Sequence, residues 1–238
     1  QATYASVTIP AKPGDNNNDT AIISGKAISQ AIEEAQEEAK KQENADDGIG
    51  IAVDLELPED SNSLELILEP TVLAQLVEAD VRSFEINSDL FTLTFDLEAL
   101  RDIYEQSGGN ITISIVPVSE LEEEAKALIG SRPVYDLSLS YEQDGKTIQV
   151  SSLGNGSVRL QFPYTPDEGE AVGYLFGVYV DSNGNVITIE NSVYDENTGS
   201  LIIATDHLSV YGIGYTSSSK RIRSITSQIL EQCFSLSG

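Results

Sequence analysis

The feature that most restricts the fold is a series of turn sequences in the second half of the chain. Asp144-Gly145, Asn155-Gly156, Asn183-Gly184 and Asn197-Thr198-Gly199 separate short stretches in which apolar residues alternate with polar ones. Asn-Gly and Asp-Gly readily adopt the positive φ angles of tight hairpin turns, and the alternation is typical of strands with one buried face. No helix signal interrupts this series, so residues 131–216 are predicted to form an antiparallel β-sandwich.

The preceding part of the chain combines helix and strand periodicity. A stripe of Ile and Ala predicts a helix over residues 26–44, and a second helix is predicted over residues 72–79. Asp96 is a suitable N-cap for a helix that ends at Gly108, and Ser119 has capping-box spacing to Glu122 for a helix ending at Gly130. Alternating residues predict strands over residues 3–9, 49–57, 64–68, 84–86, 91–95 and 111–118.

The predicted fold class is therefore α+β, with a mixed helix/strand N-terminal subdomain followed by an antiparallel β-sandwich. The division of the chain is predicted as a strand end and linker (1–20), an α/β subdomain with a linking helix (21–130), the β-sandwich (131–216) and a tail or linker (217–238). The tail holds three basic residues, one acidic residue and the single cysteine, Cys233. It is consistent with a helix, a linker to another module, or sequence foreign to the domain.

Composition argues against several classes of function. The chain has 13 Lys+Arg against 39 Asp+Glu, a formal charge of −26, which repels nucleic acid and anionic lipid surfaces. One histidine and one cysteine cannot build a zinc site, and one cysteine cannot close an intrachain disulfide. The chain contains no run of 18 apolar residues, so no membrane-spanning helix is predicted. We therefore expect no cofactor, and the lack of any Met suggests a processed chain or a fragment.

Several stretches occur in an order that resembles a known module. They are ITISIVPV (111–118), IGSRPVYDL (129–137), FPY (162–164), the hairpin at 179–184 and TDHLSVYGI (205–213). Together with the helix-then-strand order over residues 26–57, they are similar to stalk modules of large Gram-positive surface proteins, which are associated with S-layer-homology modules. The resemblance implies an extracellular, wall- or surface-associated spacer or adhesion module without enzymatic activity. Its partners would be neighbouring modules of the same polypeptide and, as an alternative, cell-wall or host glycan.

The closing stretch also resembles a motif with chemistry. His207-Leu208-Ser209 matches the tripeptide at which GAIN-type domains of adhesion receptors cut themselves before their last strand. The resemblance implies that His207 would take the Ser209 hydroxyl proton, that the oxygen would attack the Leu208 carbonyl, and that water would cleave the ester. In the alternative interpretation, His207 only anchors the turn by hydrogen bonding. A conventional Ser-His-Asp triad could use only His207, and the adjacent Asp206 is not expected to orient its ring.

Two further candidate sites lie in the predicted sandwich. Asp181, Asn183 and Asn185 place oxygen atoms at the first three ligand positions of a calcium loop, but Ser192 stands where the bidentate Glu is required, which favours a simple β-turn. Aromatic residues at 174, 176 and 179 cluster around one hairpin and could stack on sugar rings, although the same spacing also builds a core. The leading hypothesis is thus a non-catalytic spacer or adhesion module, with self-cleavage between Leu208 and Ser209 and glycan binding as alternatives.

Overall fold

The computed structural model describes residues 2–42 and 47–216, so the predicted tail lies outside the described residues. The first predicted helix is too long at its end, because it stops at Ala39 and residues 40–42 are already non-helical. Within these ranges the chain forms 15 strands and four α-helices. The helices are α1 (Gly25–Ala39), α2 (Pro70–Glu78), α3 (Leu97–Ser107) and α4 (Glu123–Ile129). The strands are β1 (Thr3–Pro10), β2 (Asn18–Ile23), β3 (Ile49–Glu56), β4 (Ser63–Leu68), β5 (Ser83–Asn87), β6 (Thr92–Asp96), β7 (Ile111–Pro117), β8 (Val134–Gln143), β9 (Lys146–Gln149), β10 (Val158–Pro163), β11 (Leu175–Val180), β12 (Val186–Ile189), β13 (Ser192–Asp195), β14 (Ser200–Thr205) and β15 (Val210–Tyr215).

The strands form two large mixed sheets. Sheet 1 has the order β1-β3-β5-β6-β10-β14-β13, and sheet 2 has the order β12-β11-β15-β8-β7-β4-β2, with β9 paired to β8. The parallel pairs are β1 with β3, β3 with β5, and β2 with β4, whereas the other described pairs are antiparallel. The protein is therefore α+β and contains more strand than helix, as the sequence predicts.

Both sheets contain strands from either side of residue 130. In sheet 1, β10 pairs with β6 and so joins β10, β14 and β13 to the four strands from the first half of the chain. In sheet 2, β8 pairs directly with β7. The predicted boundary at residue 130 therefore does not separate one sheet from the other. Hydrophobic alternation shows which face of a strand is buried, but it does not identify the neighbouring strand.

Three of the four turn sequences close hairpins. Asp144 and Gly145, with φ of 52° and 72°, join β8 to β9, and the other two join β11 to β12 and β13 to β14. Asn155-Gly156 does not, because β9 and β10 lie in different sheets. A Cβ atom on Gly156 would lie 2.1 Å from the backbone nitrogen of Ala99, so this glycine allows β10 to begin close to α3.

Local signals located most helix ends. Asp96 Oδ1 accepts a hydrogen bond from the Ala99 N–H (2.8 Å), and Gly108 ends α3 with φ of 67°, as predicted. The capping box at Ser119 is wrong, because α4 begins at Glu123 without a side-chain cap and only its end at Gly130 is confirmed. The strands β2 and β13 were missed, since each is short and adjoins residues that are typical of turns.

One hydrophobic cluster joins both sheets and three helices. It includes buried side chains from sheet 1, from one face of sheet 2 and from α1, α2 and α3. A smaller cluster covers the other face of sheet 2 and includes α4, and its β11 side chains Phe176 and Val178 alternate with Leu175 of the main cluster. Among the described residues, no helix has the length and apolar character needed to cross a bilayer.

Candidate functional site

The turn between β14 and β15 carries the only histidine of the chain. The Tyr211 hydroxyl donates a hydrogen bond to the His207 carbonyl (2.9 Å) and lies 2.8 Å from Thr205 Oγ1. Tyr211 is fully buried, and burial raises the pKa of its hydroxyl. The last residue of β14, the turn and the following strand β15 are thereby tied together by one buried phenol.

The imidazole ring of His207 is held from several sides. Its Nδ1 lies 2.9 Å from Asp206 Oδ1 and 3.3 Å from Thr205 Oγ1. The ring packs edge-on against Tyr179, with centroids 5.1 Å apart, and lies 5.9 Å from the Tyr211 ring. The expectation that Asp206 cannot orient the ring is therefore wrong: the turn bends its carboxylate back onto the adjacent side chain. This hydrogen bond lowers the pKa of Asp206.

The Ser209 hydroxyl does not hydrogen-bond to the His207 imidazole, which self-cleavage would require. Its hydroxyl donates to the Val180 carbonyl over 3.5 Å, and its own carbonyl accepts from the Leu137 N–H at 3.0 Å. Leu208 is partly buried against the main hydrophobic cluster. The fold thus brings His207, Leu208 and Ser209 into one turn, while the Ser209 hydroxyl is committed to β11 rather than to the imidazole.

The candidate calcium loop is a hydrogen-bonded turn. Asp181 Oδ1 accepts from the backbone N–H groups of Asn183 and Asn185, and Oδ2 accepts from the Asn185 amide, all at 2.9 Å. These hydrogen bonds, led by those from Asn185, lower the pKa of Asp181. The structure brings the three predicted residues together, and both carboxylate oxygens already accept hydrogen bonds. Across the described ranges, no three His, Cys, Asp or Glu side chains converge on a metal-sized space.

The aromatic residues of the predicted sugar platform face inward or pack against one another. Phe176 is 2% exposed, Tyr174 packs edge-on against Tyr215, and Tyr179 packs against His207. None of these rings forms a flat exposed surface. Tyr4 on the edge strand β1 is more open, with 43% of its surface exposed.

A cluster that sequence analysis missed surrounds Arg132. Its guanidinium forms an ion pair with Glu170, lies 4.9 Å over the Tyr215 ring and donates to the Ile129 carbonyl (2.8 Å). The Tyr164 hydroxyl donates to Glu170 Oε2 at 2.6 Å. The cluster links the end of α4, β15 and the loop after β10. Its only sequence signal was the rarity of basic residues, since each of the 13 Lys and Arg side chains has three acidic residues available as partners.

Burial and hydrogen bonding determine the charge states of the Glu170 and Tyr164 side chains in this cluster. The Arg132 and Glu170 side chains are only 14% and 9% exposed. Burial alone would raise the pKa of Glu170, but hydrogen bonds from Tyr164 and Arg132 outweigh it, so the pKa lies below its usual value. Burial and the adjacent carboxylate raise the pKa of Tyr164 to about 12. At neutral pH the cluster is therefore a charged pair with a neutral phenol, an arrangement suited to holding loops together.

Comparisons with known proteins add no relative. No family model matches this chain. A search of curated proteins also returns no significant match. The resemblance to stalk modules and to GAIN-type domains therefore remains a prediction from the sequence.

Proposed function

We propose that this chain is a non-catalytic spacer or adhesion module of a larger extracellular bacterial surface protein. In this proposal, the two sheets pack face to face as a sandwich, and neighbouring modules of the same polypeptide attach at opposite ends. The observation that carries the proposal is the placement of the first and last strand ends.

The strand β1 runs from one end of the body to the other. It ends at Pro10, and Lys12 then pairs with Thr20 in β2, so the end of β1 lies beside the start of β2 and β4. Eight extended residues span about 25 Å, since each advances the strand by roughly 3.3 Å. Thr3, at the start of β1, therefore lies about one strand length from this end.

The strand β15 ends where β1 ends. β4 runs antiparallel to β7, β7 to β8, and β8 to β15, with Val134 at the start of β8 opposite Gly212. Tyr215 lies three residues further in the same direction. Thr3, at the start of the first described strand, and Tyr215, at the end of the last described strand, thus lie at opposite ends, which is the arrangement that a load-bearing spacer needs.

The packing supports a stiff body between these points. Side chains of both sheets share one hydrophobic cluster, and the Arg132–Glu170 pair fixes the loop after β10 beside the exit at Tyr215. Force applied between Thr3 and Tyr215 would load the eight parallel pairs of β1 and β3 at the same time. A set of hydrogen bonds that is loaded simultaneously withstands a higher force than the same bonds opened one after another.

Single-molecule pulling tests this proposal. One variant would carry attachment cysteines at Ala2 and Thr216, and the control would carry them at Lys12 and Thr216, both with Cys233→Ser. In the control, both attachment points lie at the same end, so β1 is peeled from β3 pair by pair. We expect a several-fold higher unfolding force for the first variant. Equal forces, or a higher force in the control, would contradict a spacer loaded from end to end.

One observation favours self-cleavage as a second candidate. The Asp206 carboxylate holds His207 Nδ1, which leaves Nε2 as the nitrogen that could accept a proton. Ser209 would have to release the Val180 carbonyl and turn towards this nitrogen. Hydroxylamine, which attacks esters, would then increase cutting at Leu208/Ser209, whereas a chain with no ester intermediate would be unaffected.

A further inference from the structure

Asp19 is a buried carboxylate at the edge of sheet 2. It is 2% exposed and lies on the same strand face as the buried Ala21 and Ile23. Its Oδ1 accepts the Gly14 N–H at 3.2 Å, which directs the carboxylate towards the loop before β2. Among the described residues, the buried Oδ2 has no hydrogen-bond partner.

A carboxylate in this position requires compensation. Burying an ionised group without a partner is costly, and buried charges in proteins are paired or coordinate metal ions. None of the ion pairs among the described residues includes Asp19. The chain also carries three acidic residues for each basic one, so the surrounding field favours capture of a cation over an anion.

The loop before Asp19 and the loop that it contacts carry further oxygen-bearing residues. Asp15, Asn17 and Asp19 have the spacing of the first three ligands of a calcium loop. Ser63, at the start of β4, donates its hydroxyl to the Asn17 carbonyl at 3.1 Å, which holds a second loop against the first. On that second loop, the Ser61 hydroxyl is also buried without a hydrogen-bond partner among the described residues.

We infer that the loops at residues 14–19 and 58–63 form a calcium site anchored by Asp19. Calcium takes six to eight oxygen ligands in flexible geometry, which suits one buried carboxylate, amide and backbone oxygens, and water. The site is not an EF-hand, since Thr20 and Lys26 stand at loop positions 6 and 12. Because no three acidic side chains converge in the described ranges, we expect affinity in the millimolar range of extracellular modules.

The turn at Asp181 is a matched control within the same chain. It has the same alternation of oxygen-bearing residues, but both of its carboxylate oxygens already accept hydrogen bonds. Asp19 has a free oxygen and Asp181 does not. A general effect of calcium on an acidic surface would depend on both residues equally, whereas a site at residues 14–19 would depend on Asp19 alone.

The test is thermal unfolding of the full chain after treatment with EGTA, titrated with CaCl2 at constant ionic strength and with MgCl2 as the comparison. We expect a saturable rise in Tm with a millimolar midpoint, reversed by EGTA, because a ligand that binds only the folded state stabilises it. Asp19→Asn should abolish the rise, and Asp181→Asn should leave it unchanged. Asp15 is exposed, so Asp15→Asn should fold normally and shift the calcium midpoint several-fold upward.

The same titrations can overturn the inference. A wild-type Tm that is equal in calcium and EGTA would show that calcium does not compensate the buried Asp19 carboxylate. An equal rise with magnesium that persists in Asp19→Asn would indicate screening of the acidic surface only. If Asp19→Asn does not fold, an unchanged calcium midpoint in Asp15→Asn would be decisive against the site.

Discussion

The negative charge of Glu170 is held by hydrogen bonds inside the fold, so its ionisation is expected to affect stability. Its folded pKa lies below the value of about 4.3 expected in an unfolded chain, because Tyr164 and Arg132 hydrogen-bond to the ionised form. Its contribution is therefore fully present above roughly pH 5 and is lost as the pH falls through the folded pKa. Glu170→Gln should lower the free energy of unfolding by about 2 kcal/mol at pH 7.

Urea unfolding of both proteins between pH 7 and pH 3 measures this contribution. The other carboxylates are common to both chains, so the difference between them isolates Glu170. We expect the difference to shrink as the pH falls below 5. A difference that stays constant with pH would mean that the charge of Glu170 does not stabilise the fold.

Tyr211 and Ser209 contribute differently to the stability of the turn at His207. Tyr211→Phe removes the buried hydroxyl that bonds the His207 carbonyl, and it should cost about 1–2 kcal/mol. Ser209→Ala removes only a bond of 3.5 Å to Val180 and should cost about 0.5 kcal/mol or less. Chemical denaturation of both variants checks this order. A larger loss for Ser209→Ala would mean that the turn depends on Ser209 rather than on Tyr211.

At the site, the sequence predicted residue types better than their contacts. The tripeptide at 207–209 and the loop at Asp181 could both be found by spacing, because their members are neighbours in the chain. The pair of Arg132 with Glu170 could not, because its partners lie 38 residues apart and meet only after the sheets form. The direction of the Ser209 hydroxyl could not be predicted from the sequence either, because it depends on β11 lying beside the turn.

Among the elements, the close approach of the loop before β10 to the start of α3 depends on one glycine. Gly156→Ala would place a Cβ atom 2.1 Å from the Ala99 backbone nitrogen, so β10 and α3 would have to separate. We expect a loss of about 2 kcal/mol or more, as in other overpacked sites. Gly145→Ala is the control, because its Cβ meets nothing within 4 Å and only its positive φ is disfavoured, at about 1 kcal/mol. Equal losses by thermal denaturation would contradict a packing role for Gly156.

Element boundaries followed from local chemistry, but strand partners did not. The Asp96 cap and the Asp144-Gly145 turn act on adjacent residues, so their positions could be predicted. Asn155-Gly156 has the same composition as a hairpin turn, yet it serves a close approach between elements. Neither Asn155 nor Gly156 has a positive φ, so this dipeptide does not adopt the hairpin conformation that its composition favours, and the surrounding packing decides its role.

For the whole molecule, the shared sheets predict a single cooperative unit. Residues 131–216 supply the centre and one edge of sheet 2, but β10, β13 and β14 form only part of sheet 1. A fragment of residues 131–216 would expose the edges of β8 and β10 that pair with β7 and β6. We expect this fragment to lack a cooperative thermal transition, whereas the full chain unfolds in one. A stable fragment with its own transition would support the boundary predicted at residue 130.

A spacer or adhesion module of the proposed kind does no covalent chemistry on its own chain. Intact mass under denaturing conditions tests it on freshly purified wild type beside Ser209→Ala. We expect a single full-length mass for both proteins, which would leave His207 as a turn anchor. Two wild-type fragments that meet between Leu208 and Ser209, with an uncut Ser209→Ala chain, would contradict it and identify a self-cleaving domain.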